Sequence, residues 1–250
     1  MDTSFRCRLK KGDYLLGTLI TLSSPEVVDL LADCGFDWFF YDLEHSAMGV
    51  QEVQTLLQVA GNRCAGVIRV PLNDEIWFKK VLDIGADGVI VPLVNSAEEA
   101  RQAVRFSKFP PIGRRSVGIA RAHGYGSRFL EYVSTANDKI AVLVQAEHYL
   151  AVENIDEIVK VDGVDGVIIG PFDLSASLGK AGQVSDAEVR ASIQKIRAAC
   201  EKVGLPVGIF GATLESAEGL RSEGYHLLAA ATDTMLLGRA GRELVERLRR

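Results

Sequence analysis

A closed (β/α)8 TIM barrel, one α/β domain over residues 1–250, is the fold this sequence predicts, on three grounds. Eight short runs rich in β-branched and aromatic residues alternate with longer amphipathic stretches, the pattern that parallel βαβ units leave in a sequence. Several of these runs are apolar nearly throughout, as strands covered on both faces must be. The chain is 250 residues long and 48% hydrophobic, enough for one large core, and no Pro/Ser-rich linker or low-complexity tract divides it.

The first strand is predicted over residues 15–21 (LLGTLIT). A helix follows from Pro25, whose ring suits a first helical turn; Ser24 is placed to cap it and Gly35 to close it. Strands then recur at residues 38–44 (WFFYDLE), 65–70 (AGVIRV) and 88–94 (GVIVPLV). Residues 107–135 break the rhythm with a long Arg-, Gly- and Ser-rich segment, and excursions of that length are usually functional or disordered. Strands at 140–147 (IAVLVQAE), 166–170 (GVIIG), 206–211 (PVGIFG) and 226–232 (HLLAAAT) complete the eight, and a last helix is expected over residues 234–248.

Composition excludes several classes of function. The net charge of −5 provides no basic field for nucleic acid or an anionic membrane. No apolar run approaches the roughly 20 residues that span a bilayer, and the first residues lack the apolar core of a signal peptide. Cys7, Cys34, Cys64 and Cys200 are scattered without CxxC spacing, which indicates neither a disulfide framework nor a zinc site. A cytoplasmic protein with reduced thiols is the expectation. Neither G-x-G-x-x-G nor the P-loop pattern is present, so nucleotide binding has no support.

In barrels of this kind the active site lies where the strands end, so the polar residues there carry the information. The second strand ends in Asp42, Glu44 and His45, the third in Arg69, the fifth in Gln145 and Glu147; the sixth runs through Gly170 and Pro171 to Asp173. Alternation puts Gln145 and Glu147 on one face, aimed at the barrel mouth, with Asp173 facing Glu147 from the neighbouring strand. Two carboxylates without Cys or His form an oxygen-rich site suited to Mg2+, Mn2+ or a similar ion; the competing reading is a pair of acids held in ion pairs at the rim. His45, close to two acids, suits proton transfer, although a lone histidine at a strand end is more often a packed polar residue. Arg69 ends an apolar strand and needs an anion, either a substrate carboxylate or enolate oxygen or an internal partner such as Asp42 or Glu44. The segment GPFDLSASLG (170–179) reads as a loop entering a helical turn whose free amides suit a carboxylate, or as an ordinary turn capped by Asp173 or Ser175.

Taken together, YDLEH, VIRVP, VQAEH and GPFDLSASLG give the chain a resemblance to the HpcH/HpaI aldolases, metal-dependent pyruvate aldolases on a phosphoenolpyruvate/pyruvate-type barrel, from about residue 12 to residue 240. The resemblance implies a metal-dependent lyase that cleaves 4-hydroxy-2-oxo acids reversibly to pyruvate, or a related 2-oxo acid, and an aldehyde through a metal-stabilised enolate. It implies that Glu147 and Asp173 bind a divalent ion (Mg2+, Mn2+ or Co2+) and that His45 is the acid/base, aided by Asp42. Arg69 would steady the pyruvate oxygen, Gln145 would contact the oxo acid, and backbone amides at Phe172 and Asp173 would hold its carboxylate. It further implies a homo-oligomer, commonly a hexamer, with residues 234–248 packing across subunits. The sequence departs from the family pattern at His148 and in GRRSVGIARAHGYGSRF, which leaves the aldehyde open.

A Schiff-base aldolase would need a lysine near a strand's C-terminal end, and the lysines fall elsewhere: Lys139 precedes the fifth strand, and Lys108, Lys160 and Lys180 lie in helices or loops. Two alternatives stand beside the aldolase: a CoA-ester lyase like the citrate lyase β subunit, and a non-catalytic barrel that binds a 2-oxo acid. Arg114, Arg115, Arg121 and Arg128 share the long segment with His123 and Tyr125, so beside the reading as ordinary surface arginines stands a second, in which they close over an acidic acceptor. Arg239, Arg242, Arg247, Arg249 and Arg250 read as a solvated helix face.

Overall fold

The computed structural model describes residues 3–249. Eight parallel strands close into a barrel in sequence order. They are Leu15–Ile20 (β1), Trp38–Asp42 (β2), Ala65–Arg69 (β3), Gly88–Val91 (β4), Ala141–Ala146 (β5), Gly166–Ile169 (β6), Val207–Gly211 (β7) and Leu227–Thr232 (β8). The helices are Phe5–Lys10 (α1), Pro25–Ala32 (α2), Val50–Ala60 (α3), Glu75–Asp83 (α4), Ala97–Ser107 (α5), Phe129–Lys139 (α6), Tyr149–Glu153 (α7), Ile155–Ile158 (α8), Pro171–Ser177 (α9), Ala187–Val203 (α10), Leu214–Ser222 (α11) and Asp233–Leu248 (α12).

Period-two alternation sorts the apolar residues into two cores. Trp38, Phe40, Val67, Ile90, Leu143 and Ile168 point inward and fill the barrel. Phe39, Tyr41, Ile68, Val89 and Val142 point outward into the layer under the helices. α1 closes the floor of the barrel: Phe5 and Leu9 join the inner core, and the Phe5 ring lies 5.8 Å from that of Trp38. Burying each is worth about 2–3 kcal/mol.

All eight expected strands form, but several stop early. β2 ends at Asp42 because the next amides turn back onto its carboxylate, Glu44 at 3.0 Å and His45 at 3.2 Å. β4 ends at Val91, and the chain turns through Leu93 in the left-handed region at φ 51°. The last helix begins at Asp233, one residue earlier than expected. Asp233 is fully buried and accepts the amides of Thr21 and Leu22 at 2.9 and 2.8 Å, pinning the start of α12 to the end of β1. Beyond that residue α12 stands largely clear of its own barrel, its main contacts being with β8 and β1.

Of the two readings of residues 107–135, closure over the acceptor is not the one the structure bears out. The segment follows α5 and returns to the start of β5, so it lies at the strand-start end, opposite the mouth. Arg115 is buried against Asp83 (2.8 Å) at the end of α4, and Arg121 donates to the Ile84 carbonyl (2.6 Å). The His123 ring is enclosed by its own loop, with Nδ1 accepting from the Gly126 amide at 3.0 Å and Nε2 engaged by Ala120 and Gly118. These groups hold the loop down. Among the described residues no helix is long and apolar enough to cross a membrane.

Candidate active site

Asp42 and Arg69 are register partners at the ends of β2 and β3, so parallel pairing alone sets them side by side. Arg69 donates from Nε to Asp42 Oδ1 (3.0 Å) and from Nη2 to Oδ2 (2.7 Å), a bidentate fork in a buried setting, and its guanidinium lies 5.1 Å above the Phe40 ring. Burial opposes ionisation of Asp42, but the Arg69 fork and the amides of His45 and Glu44 outweigh it and hold the carboxyl below its usual value. Glu44 Oε2 lies 3.2 Å from Arg69 Nε. Burial dominates at Glu44 and raises its pKa despite Arg69.

His45 stands at the rim with 62% of its side chain exposed, Nε2 3.7 Å from Glu44 Oε2. The expected aid from Asp42 takes a different form. Asp42 receives the His45 backbone amide, and the imidazole faces Glu44, because the Arg69 fork already occupies both Asp42 oxygens.

Across the mouth Glu147 follows β5 and is buried. Its Oε1 accepts the Leu93 amide at 2.8 Å and its Oε2 accepts from Gln145 Nε2, the pair that alternation predicts on one face. Gly170 makes room for it: a Cβ there would sit 2.7 Å from Glu147 Oε2 and 2.8 Å from its Cβ. Burial, against the hydrogen bonds from Leu93 and Gln145 and reinforced by the charges of Glu44 and Asp173, pushes the Glu147 carboxyl up to about 7. Gln145 Oε1 is buried and has no partner. Sequence reasoning missed Leu93 and Gly170: the Gly-Pro step marks Gly170 as unusual, whereas nothing in the sequence marks Leu93.

Asp173 is not on a strand, as the sequence suggested; it lies in the first turn of α9, because Pro171 ends the β6 ladder and starts a helix. It is exposed at the mouth, as is Phe172, whose ring pairs with Phe210 at 6.4 Å. The first helical bond runs from the Leu174 amide to the Gly170 carbonyl (3.0 Å), so the amides of Phe172 and Asp173 precede it. His148 is accounted for locally: it caps α7, its Nδ1 accepting from the Leu150 amide at 3.2 Å.

The mouth therefore gathers Asp42, Glu44, Glu147 and Asp173 around the buried Arg69, an excess of negative charge. Among the described residues no three His, Cys, Asp or Glu form a ready metal cage. An ion placed between Glu147 and Asp173 would need further oxygens, and the orphaned Gln145 Oε1 is one within the protein. The surplus charge, the raised Glu147 and the all-oxygen donor set fit a hard divalent cation.

Three comparisons bear on this site. The sequence pattern of the HpcH/HpaI aldolase/citrate lyase family matches residues 16–240. A 4-hydroxy-2-oxo-heptane-1,7-dioate aldolase of Shigella sonnei is 41% identical over 250 residues, covering 99% of this chain and 95% of its own. Among solved structures, an HpcH/HpaI aldolase/citrate lyase family protein from Burkholderia cenocepacia superposes with a TM-score of 0.95 at 32% identity, covering 98% of each chain. An HpcH/HpaI aldolase from Desulfitobacterium hafniense superposes at 0.91 with 35% identity over 99% of this chain and 97% of that one. The protein belongs to the HpcH/HpaI aldolase/citrate lyase family and is an aldolase, an enzyme of the lyase class.

Proposed function

We propose that this aldolase cleaves 4-hydroxy-2-oxo acids reversibly to pyruvate, or a close 2-oxo acid, and an aldehyde, with Glu147 and Asp173 holding a divalent ion such as Mg2+, Mn2+ or Co2+. The observation that carries the reading is the buried Glu147, raised to about 7 and left without a cation of its own, beside a Gln145 oxygen that lacks a partner. The ion, when bound, supplies a Lewis acid that polarises the keto group.

The protein's own groups do the rest. The amides of Phe172 and Asp173 receive the substrate carboxylate, and the Gln145 side chain lies within the same cradle. His45 takes the proton of the 4-hydroxyl; the C3–C4 bond breaks, the aldehyde departs, and the electron pair passes from C3 to the C2 oxygen. The Arg69 fork spends Nε and Nη2 on Asp42, which leaves Nη1 for that oxygen. Protonation at C3 then yields the 2-oxo acid. Asp42 locks Arg69, and Glu44 faces the imidazole.

The quaternary proposal is a homo-oligomer, a hexamer favoured, with residues 234–248 packing on a neighbouring copy. Its support is α12, which leaves Met235, Leu237, Leu244, Val245 and Leu248 exposed. Sedimentation of the full chain beside a variant ending at residue 232 tests it.

For the chemistry, the deciding measurement is exchange of the pyruvate C3 protons into D2O, followed by NMR on metal-stripped protein and after adding back Mg2+, Mn2+ or Co2+. Exchange that needs the ion and disappears in Glu147→Gln supports the assignment. No exchange with any ion would point instead to a CoA-ester lyase.

A further inference from the structure

Glu44 and His45 leave β2 together. Their amides turn back onto one oxygen, Asp42 Oδ1, at 3.0 and 3.2 Å, and that shared anchor bends the chain so that the two consecutive side chains approach each other, Glu44 Oε2 lying 3.7 Å from His45 Nε2. Asp42 itself has no room for the imidazole. Its Oδ1 already accepts Arg69 Nε and both amides, its Oδ2 accepts Arg69 Nη2, and its side chain is buried.

Glu44 is the opposite case. Its Oε2 is buried and receives no hydrogen bond. Arg69 Nε lies 3.2 Å away, but the single Nε hydrogen is occupied by Asp42 Oδ1, so that contact is an attraction of charge alone. A buried carboxylate oxygen without a donor is destabilising, and the imidazole is the donor at hand. Its ring is mostly exposed, and about 1 Å of travel brings Nε2 within hydrogen-bond length.

Resting on the reading of His45 as the base, we infer that Glu44 is its positioning residue: the carboxylate accepts the Nε2 proton of the neutral imidazole and leaves Nδ1 as the free nitrogen that takes the 4-hydroxyl proton. The transfer balances within these groups. The hydroxyl proton moves to Nδ1, the ring becomes imidazolium with its Nε2–H still on Glu44, and the electron pair left on the oxygen forms the aldehyde carbonyl as C3–C4 breaks. The adjacent carboxylate stabilises the charge that the ring acquires. Because Glu44 also lies against Arg69, the group that moves the proton and the group that steadies the C2 oxygen are held in one frame.

The first test needs no substrate. The protein has four histidines, and His45→Ala identifies the His45 signals in NMR spectra of protein labelled with 15N-histidine. At a pH where its imidazole is neutral, His45 should show one tautomer, Nε2 protonated and Nδ1 bare; in Glu44→Leu it should relax to the mixture of a free imidazole. The second test is kinetic. In the metal-loaded enzyme Glu44→Leu should lower kcat for aldol cleavage about 10–100-fold, part of what a positioned acid/base supplies, and leave KM within about twofold. In a His45→Ala background the same substitution should lower kcat no further, because nothing remains to be oriented. Glu44→Gln keeps an acceptor oxygen of the same reach and should recover part of kcat and most of the tautomer preference. A Glu44→Leu loss that multiplies that of His45→Ala, or imidazole signals indifferent to Glu44, would overturn the inference and leave His45 as the base. Full cleavage by His45→Ala would overturn both at once.

Discussion

The two ends of this barrel use the same side chain in opposite ways. At the strand-start end Asp37, Asp87 and Asp165 each immediately precede an even-numbered strand, and each closes a reciprocal clip with one residue of the strand before it. Asp37 donates its amide to the Leu16 carbonyl (2.7 Å) and accepts the Leu16 amide on its carboxylate (2.9 Å). Asp87 does the same with Gly66 (2.8 and 2.8 Å), and Asp165 with Val142 (2.8 and 3.0 Å). Arg8 and Arg6 neutralise Asp37 and Asp165 at 2.7 and 2.8 Å. At the mouth, by contrast, Glu147 is buried with two hydrogen bonds and no cation, and Asp173 is exposed. At the floor two of the three carboxylates have an arginine and all three are fixed by strand amides, although burial pushes Asp87, which has no ion pair, upward; at the mouth Asp42 has Arg69, while Glu147 and Asp173 are left short of positive charge, which gives a place for a ligand.

The largest effect that would break this contrast is expected at Glu147. Glu147→Gln should lower kcat about 10^3-fold, the scale of losing one preorganised electrostatic group. Its effect on stability should have the other sign. In metal-stripped protein the raised pKa of about 7 means that the folded state keeps a proton the unfolded chain gives up near 4.5. Stability is therefore fully present below about 4.5 and is lost as the pH rises to 7, by on the order of 3 kcal/mol. Urea denaturation between pH 4.5 and 8 should show this decline in the stripped wild type and a flatter profile in Glu147→Gln. Equal slopes would mean that Glu147 ionises freely in the folded protein.

A floor carboxylate should behave in reverse. Asp165→Ala removes the partner of Arg6, whose side chain is mostly buried, together with half of a clip, and should cost about 3 kcal/mol in urea unfolding. The kcat of the molecules that remain folded should stay within about twofold of wild type, because the change lies at the far end of the barrel. A matching fall in kcat would mean that the two ends are mechanically coupled.

Much of this division was legible in the sequence. Alternation predicted that Gln145 and Glu147 share a face, and the eight apolar runs located every strand. Leu93 and Gly170 were not legible, since an amide aimed by a left-handed turn and a space left by a missing Cβ are relations between segments that no local pattern records. The floor clips were written as Asp before a strand three times over, yet only the strand register shows what each Asp bonds. The placing of residues 107–135 was legible too: a segment between a helix and the next strand returns to the floor by topology, which decides against closure over the acceptor whatever the arginines suggest.

Gly170 offers a sharper test of the mouth. Gly170→Ala puts a methyl 2.7 Å from Glu147 Oε2 and 2.8 Å from its Cβ, inside contact distance of both, so the backbone after β5 must shift and carry the carboxylate away from Leu93 and Gln145. Metal affinity should fall about 10–100-fold, the usual effect of disturbing the groups that orient a ligand, as read by competition with a fluorescent chelator. Unchanged affinity would show that the Glu147 pose is not what the site requires.

The smallest effect tests whether the floor pattern is a rule. β8 is the fourth even strand, and the residue before it is His226, not aspartate. Its amide makes the backbone half of the clip to the Val207 carbonyl at 2.9 Å, but the ring supplies no second half and its buried Nδ1 has no partner. His226→Asp places a carboxylate where the other three strands have one, within reach of the Val207 amide, and removes an orphaned nitrogen. A gain of about 1 kcal/mol in urea unfolding at pH 7 is expected, the net worth of one hydrogen bond. The gain should fade at acid pH, since a proton on the carboxylate takes away the acceptor. A loss of stability instead would mean that the imidazole packs against the neighbouring Gly12 more usefully than its unpartnered nitrogen suggests, and that β8 is held by a different device from its three counterparts.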